Sequence, residues 1–434
     1  MKQPIAVLAL TSILFFAFMS ISQADTYIYA SKLITAENSK AHSNKTVIVK
    51  NNKIVSIKDG KLTGEESDTF VDLTGYTLMP GFMDMHVHLS FQNEGPSGYM
   101  KRFTNNEADY TIEAVRYAEI TLNAGFTTVR NVGDIYNETV ALRNAINKGK
   151  VVGPRIYTAA KAIATTGGHA DPSNSYSKRL MGKPGPVEGV VNGVAQAREA
   201  VRQRYKDGAD LIKITATGGV LSVAKNGQNP QFMDDELTAI VQTAKDYEMT
   251  VSVHAHGKEG MKRAILAGVD SIEHGTYMDN EIFKLMRKHD VYYVPTILAG
   301  NFVAEKAKID GYFPDIVRPK AAAIGPVIQS TFAKAHENGV MIAFGTDSGV
   351  SAHGDNGQEF ALMVEAGMSE MDAIRSATLN AAKLLKVEDT LGTIEAGKLA
   401  DLVAVKGDPL ENISLLQNIN FVMKDGKVYK HHTN

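Results

Sequence analysis

The chain has 434 residues, 44% hydrophobic and 22% charged, with a formal net charge of −2 and no cysteine. That length holds one large domain with an appendage or two to three smaller ones, and the near-zero charge excludes a basic footprint for nucleic acid or anionic membrane. Without cysteine there are no disulfides, thiolate nucleophiles or cysteine-held zinc, so a metal would have to sit on His, Asp, Glu or modified Lys.

Residues 1–24 read as a signal peptide. Lys2 is a minimal basic segment, Ile5 to Phe18 is an almost unbroken apolar run, and Ser22-Gln23-Ala24 fits a small-x-small cleavage site. The alternative is an uncleaved anchor, since Ile5–Ile21 borders on spanning length. Cleavage predicts an exported protein, periplasmic or secreted, with no stable membrane association afterwards. A periplasm permits disulfides without requiring them.

Residues 25–80 show short strands and turns. Thr46–Lys50 and Lys53–Ile57 flank Asn51-Asn52, a hairpin pair, and Phe70–Leu73 and Gly75–Pro80 follow. Residues 386–434 have the same texture: Ala400–Val405 reads as a strand, and Asn420–Lys424 and Lys427–Tyr429 bracket an Asp425-Gly426 turn. Neither end has strands enough to bury a core alone. The two are expected to pair into one β-sandwich-like domain, interrupted by residues 81–385.

That middle alternates strand-like runs with helical stretches. The candidate strands are Gly81–Leu89, Thr127–Val132, Arg155–Ala162, Asp210–Thr217, Thr250–His256, Ser271–His274, Val291–Leu298 and Met341–Thr346. Helical patterns such as Glu107–Asn123, Val194–Asp207, Asp235–Tyr247 and Lys258–Ala267 separate most pairs. The predicted fold class is α/β, a (β/α)8 TIM barrel with a small β-sandwich domain built from both chain ends. Its chemistry belongs at the C-terminal strand ends. The Gly/Pro/Ser-rich stretch Asp171–Gly193 is expected as a loop over that face.

Chemically unusual residues collect at those ends. On a strand, His86 and His88 share one face, about 7 Å apart. His169 follows a glycine turn, His254 and His256 end the fifth strand, His274 ends the sixth, and Asp347 follows the eighth. Six of the twelve histidines thus lie at predicted strand ends or just after one. Lys213 shares its strand face with Leu211 and Thr215, the barrel interior. A protonated amine buried there costs several kcal/mol even after relaxation and would repel metal ions. Carboxylated by carbon dioxide, it becomes an anionic ligand able to bridge two cations. The plainer alternative is a lysine snorkelling to the mouth or paired with an acid.

His86-x-His88, Lys213, His254, His274 and Asp347, in this order and at these barrel positions, resemble the amidohydrolase superfamily. The likeness extends to Leu78–Asp84, His353–Glu359 and Gly392–Val403. It is closest to the imidazolonepropionase-related branch, with its Xaa-Pro dipeptidase-like enzymes, Xaa-Arg/Lys carboxypeptidases and ochratoxin-hydrolysing amidases. Mononuclear members typically lack the strand-four lysine and carry a glutamate where this chain has Gly257, so the resemblance implies two divalent ions, zinc first among the candidates. It puts His86, His88 and Asp347 on one ion and His254 and His274 on the other, with carboxylated Lys213 and a hydroxide between them.

The mechanism this implies has Asp347 serving as base and then acid, with His256 stabilising the tetrahedral oxyanion. His169 is expected to contact the substrate. Arg130, Tyr277, Lys225 and the His353–Glu359 loop, His353 in particular, are candidates for a substrate carboxylate; Arg130 could instead pair with Asp134. The expected protein is an exported binuclear metal hydrolase of dipeptides or N-acyl amino acids, including ochratoxin-like amides. A cyclic-amide hydrolase and a silent metal-binding relative are the alternatives, and association into a homo-oligomer is left open.

Overall fold

The computed structural model describes residues 24–432. Apart from Ala24, the predicted leader lies outside the described residues. Among them, no helix is long and apolar enough to cross a membrane.

Strands β1 (Thr26–Ile34), β2 (Ala41–Lys50), β3 (Lys53–Asp59) and β4 (Thr69–Pro80) come first. Asn51 takes the left-handed conformation, φ 56°, that the tight β2–β3 turn requires. The chain then enters β5 (Phe82–Val87) and passes through α1 (Pro96–Thr104), α2 (Glu107–Asn123), β6 (Phe126–Asn131), α3 (Glu138–Asn147) and β7 (Arg155–Thr158). β8 (Ala164–Thr165), α4 (Lys178–Met181) and β9 (Val190–Val191) precede α5 (Val194–Asp207) and β10 (Ile212–Thr215). Strict alternation follows: α6 (Asp234–Asp246), β11 (Val251–Ala255), α7 (Lys258–Ala267), β12 (Ser271–His274), α8 (Asn280–Lys288) and β13 (Tyr292–Val294). Helices α9 (Ile297–Lys306), α10 (Arg318–Glu337), α11 (Gln358–Glu365), α12 (Glu370–Arg375) and α13 (Ala381–Leu385) lead to β14 (Leu402–Lys406), β15 (Phe421–Lys424) and β16 (Lys427–His431).

The barrel strands pair in parallel as two runs, β5-β6-β7 and β10-β11-β12-β13. A parallel bridge between Ile163 and Ile214 joins the runs on one side. The eighth stave differs from the predicted strand Met341–Thr346. It has no regular ladder and is held by single bridges, Ile342 to Tyr293 and Ser348 to Val87. The predicted strand Val291–Leu298 likewise stops at Val294, because Thr296 turns to φ 56° and Ile297 starts α9.

Both chain ends meet in one hydrogen-bonded sheet, ordered β16-β15-β14-β4-β1-β2-β3. Ile28, Leu33, Val47, Leu73, Leu78, Leu402 and Phe421 form its own buried core. Arg155 at the start of β7 ties this sheet to the barrel through Asp401 (2.8 Å) and Asp425 (2.6 Å). The 171–193 stretch is pinned rather than loose. Buried Arg204 on α5 donates to the carbonyls of Lys161, Pro186 and Val187.

Candidate metal centre and active site

At the C-terminal mouth the histidine rings touch in a chain. Ring centroids lie 5.5 Å apart for His88 and His86, 4.9 Å for His86 and His274, and 4.6 Å for His274 and His254. His256 stands 4.7 Å from His254, and His169 stacks on His254 at 4.2 Å. His274 and Asp347 both adopt positive φ, 68° and 57°, a strained geometry that functional sites often retain.

Each ring's outer nitrogen is engaged, and this decides which nitrogen is bare. His86 donates from Nδ1 to Glu273 (2.8 Å), and His88 from Nδ1 to the Gly133 carbonyl (3.0 Å), so both present Nε2 inward. His254 donates from Nε2 to the Gly218 carbonyl (3.2 Å) and presents Nδ1. His274 rests its Nδ1 on the Thr296 hydroxyl (2.8 Å). Thr296 is itself held by α9, whose first amides, of Ile297 and Leu298, donate to Glu359.

Burial holds His86, His254 and His274 well below the usual imidazole range, keeping them neutral and able to donate lone pairs. The ligand atoms of His86, His88 and Asp347 lie within 4.8 Å of one another. Nε2 of His86 and of His88 stand 3.4 and 3.3 Å from Asp347 Oδ1, which has no hydrogen-bond partner. Lys213 Nζ is likewise buried without a hydrogen-bond partner, in a residue only 4% exposed. Burial, acting against the attraction of Glu273, pulls its pKa down to about 8. A donor set of bare, neutral imidazoles beside an orphaned carboxylate oxygen and an orphaned amine fits a divalent-metal site.

Around this layer the structure corrects two expectations. Arg130 is not at the mouth: its guanidinium is buried and spent on Glu273 (2.7 Å), Ser271 (3.0 Å) and the Met85 carbonyl (2.7 Å). It pairs with Glu273, not Asp134, and cannot reach a substrate. His353 is corrected too. Its Nε2 meets the Phe91 carbonyl at 2.9 Å, its Nδ1 the Ser348 hydroxyl at 3.2 Å, and its ring stacks on Tyr117, so both nitrogens are consumed.

Tyr277, Lys225 and His256 do face one cavity of about 180 Å³. His256 sets Nδ1 on the Thr276 hydroxyl (2.8 Å), and His169 sets Nδ1 on the Ser222 hydroxyl (2.6 Å). Gly257, which opens α7, has no room for a side chain, since a Cβ there would stand 1.9 Å from the Gln228 carbonyl oxygen. Sequence reasoning missed Glu273, which orients His86, and Asp84, which accepts from the His86 amide, the Thr346 amide and hydroxyl, and Asn356. Both follow the rule that a buried acid next to a ligand orients it, and Glu273 stands directly before His274.

Fold and site together are those of a barrel hydrolase acting on carbon–nitrogen bonds. Residues 77–430 match the Amidohydrolase family, and the chain belongs to that family. The family generally binds divalent metals. The chain is 31% identical over 433 residues to the ochratoxinase of Aspergillus niger, covering 93% of this chain and 86% of that one. It resembles the crystal structure of a Xaa-Pro dipeptidase with bound methionine in the active site, at TM-score 0.91 and 55% identity, covering 94% of this chain and all of that one. A prolidase complexed with N-methylphosphonate-L-proline matches at TM-score 0.85 and 30% identity, again over 94% of this chain and 100% of the other.

Proposed function

We propose that the protein is an exported, binuclear metal-dependent hydrolase of amide bonds in dipeptides or N-acyl amino acids. The observation that carries this reading is the ligand layer itself, bare imidazoles around an orphaned Asp347 oxygen and an orphaned Lys213 amine. His86, His88 and Asp347 would hold one ion, His254 and His274 a second, and carboxylated Lys213 would bridge the two, zinc suiting these ligands. Bound metal supplies Lewis-acid polarisation of the scissile carbonyl and acidifies water.

The chain's own groups do the rest. Asp347 Oδ1 takes a proton from the attacking water and delivers it to the leaving nitrogen. His256, its Nδ1 engaged by the Thr276 hydroxyl, turns Nε2 to the developing oxyanion and stabilises it from there. His169, with Nδ1 occupied by Ser222, turns Nε2 to the substrate. The relatives support the substrate class, since an ochratoxinase, a Xaa-Pro dipeptidase and a prolidase share this fold. The apolar leader supports export.

The test is metal analysis of the purified protein together with a panel of dipeptides and N-acyl amino acids. We expect two metals per chain and turnover of substrates with a free C-terminal carboxylate. Two bound metals without turnover of any panel member would reject the assignment.

A further inference from the structure

Lys320 was not singled out by its sequence context, yet it stands in the wall of the cavity that His256 and Tyr277 share. It is the third residue of α10, and the first turn of a helix carries the positive end of its dipole, where a cation works against the helix. Its Nζ donates to three carbonyls of the loop after β10, those of Ser222 (2.7 Å), Ala224 (2.8 Å) and Gly219 (3.3 Å). Among the described residues no carboxylate lies within ion-pair distance of it. Carbonyl dipoles solvate an ammonium without cancelling its charge, so the cavity wall is left positive.

We infer that Lys320 is the seat of the substrate's free carboxylate and sets the preference for free acids over amides. With the scissile carbonyl at His256, the leaving amino acid reaches across the cavity to the ammonium, and the long contact to Gly219 is the one given up. The inference rests on the amide-hydrolase reading above and goes further by naming the residue that selects the substrate's end. Lys225, exposed on the same cavity, adds a second positive charge.

A purely structural role is the rival, because the loop that Lys320 grips also presents Gly218 to His254 and Ser222 to His169. Calorimetry on the metal-loaded full-length mature protein separates the two, using L-methionine and L-methioninamide as probes on the wild type, Lys320→Met and Lys320→Arg. Methionine binding should weaken about thirtyfold in Lys320→Met, within the range for hydrogen bonds to charged groups, while methioninamide changes less than about threefold. Lys320→Arg should keep most of the difference between the probes. Equal weakening of both probes in Lys320→Met would show that Lys320 only props the loop and would overturn the inference. So would a wild type that binds both probes alike or binds neither. Failure of the amide panel with the methionine preference intact would reject the hydrolase reading and leave the carboxylate seat standing.

Discussion

Glu273 gathers the lower half of the site. It accepts from Arg130, Ser252, Ser271 and His86, and neither it nor Arg130 is more than 1% exposed. Replacing Arg130 with methionine leaves that carboxylate buried without its counter-ion. We expect a loss of about 3–5 kcal/mol in denaturant unfolding, the usual cost of breaking a buried pair from one side. Asp347→Asn keeps the shape of the ligand while removing its base. It should retain much of the metal and lose at least ~10²-fold in turnover, measured by steady-state kinetics against metal content. Lys213→Ala should lose metal and activity and regain part of both with added short carboxylates. The pKa of Lys213 also fixes a pH dependence. Only the neutral amine attacks carbon dioxide. With a pKa of about 8, roughly a tenth is neutral at pH 7 and roughly nine tenths at pH 9. Reactivation of metal-stripped protein by zinc at fixed dissolved carbon dioxide should therefore be faster at pH 9 than at pH 7, and a flat profile would argue against carboxylation.

At the level of elements, the loop after β10 controls the mouth. Its Gln228 carbonyl closes on Gly257, and Gly219 lies so near His169 that a Cβ would come within 2.3 Å of the ring. Gly257→Ala must push that loop aside, and a shift near 1 Å in a substrate-positioning element costs about 10²-fold. We expect a loss of that order in kcat/KM with the fold's melting temperature little changed. The same elements show what the sequence reveals. Parallel strands buried on both faces announce themselves as short apolar runs between helices, so β5, β6, β10, β11 and β12 and the histidines they carry were legible. The eighth stave was not read correctly, because single bridges leave no periodic trace, and the seventh was drawn too long, because a left-handed Thr296 has no sequence signature. Arg130 and His353 were misjudged for a related reason. A polar residue beside a strand end reveals neither the depth its side chain reaches nor which carbonyl or acid receives it. Lys320 escaped notice because its partners are backbone oxygens a hundred residues away.

Over the whole molecule, the barrel depends on a sheet made from both ends of the chain. Phe421, Val422 and Met423 of β15 are fully buried, and side chains of that kind contribute about 1.5–3 kcal/mol each. Their sum is comparable to the whole stability of a typical domain. A chain cut after Asn420 should fail to accumulate as folded protein, which soluble yield and a thermal melt would reveal. The order of that sheet also dictates a schedule. Strand β4 has one edge taken by β1 and the other reserved for β14, which leaves the ribosome only after the entire barrel. Throughout synthesis the nascent polypeptide therefore carries an open, apolar edge that nothing already made can cover, and it must be chaperoned or kept extended until the last strands arrive.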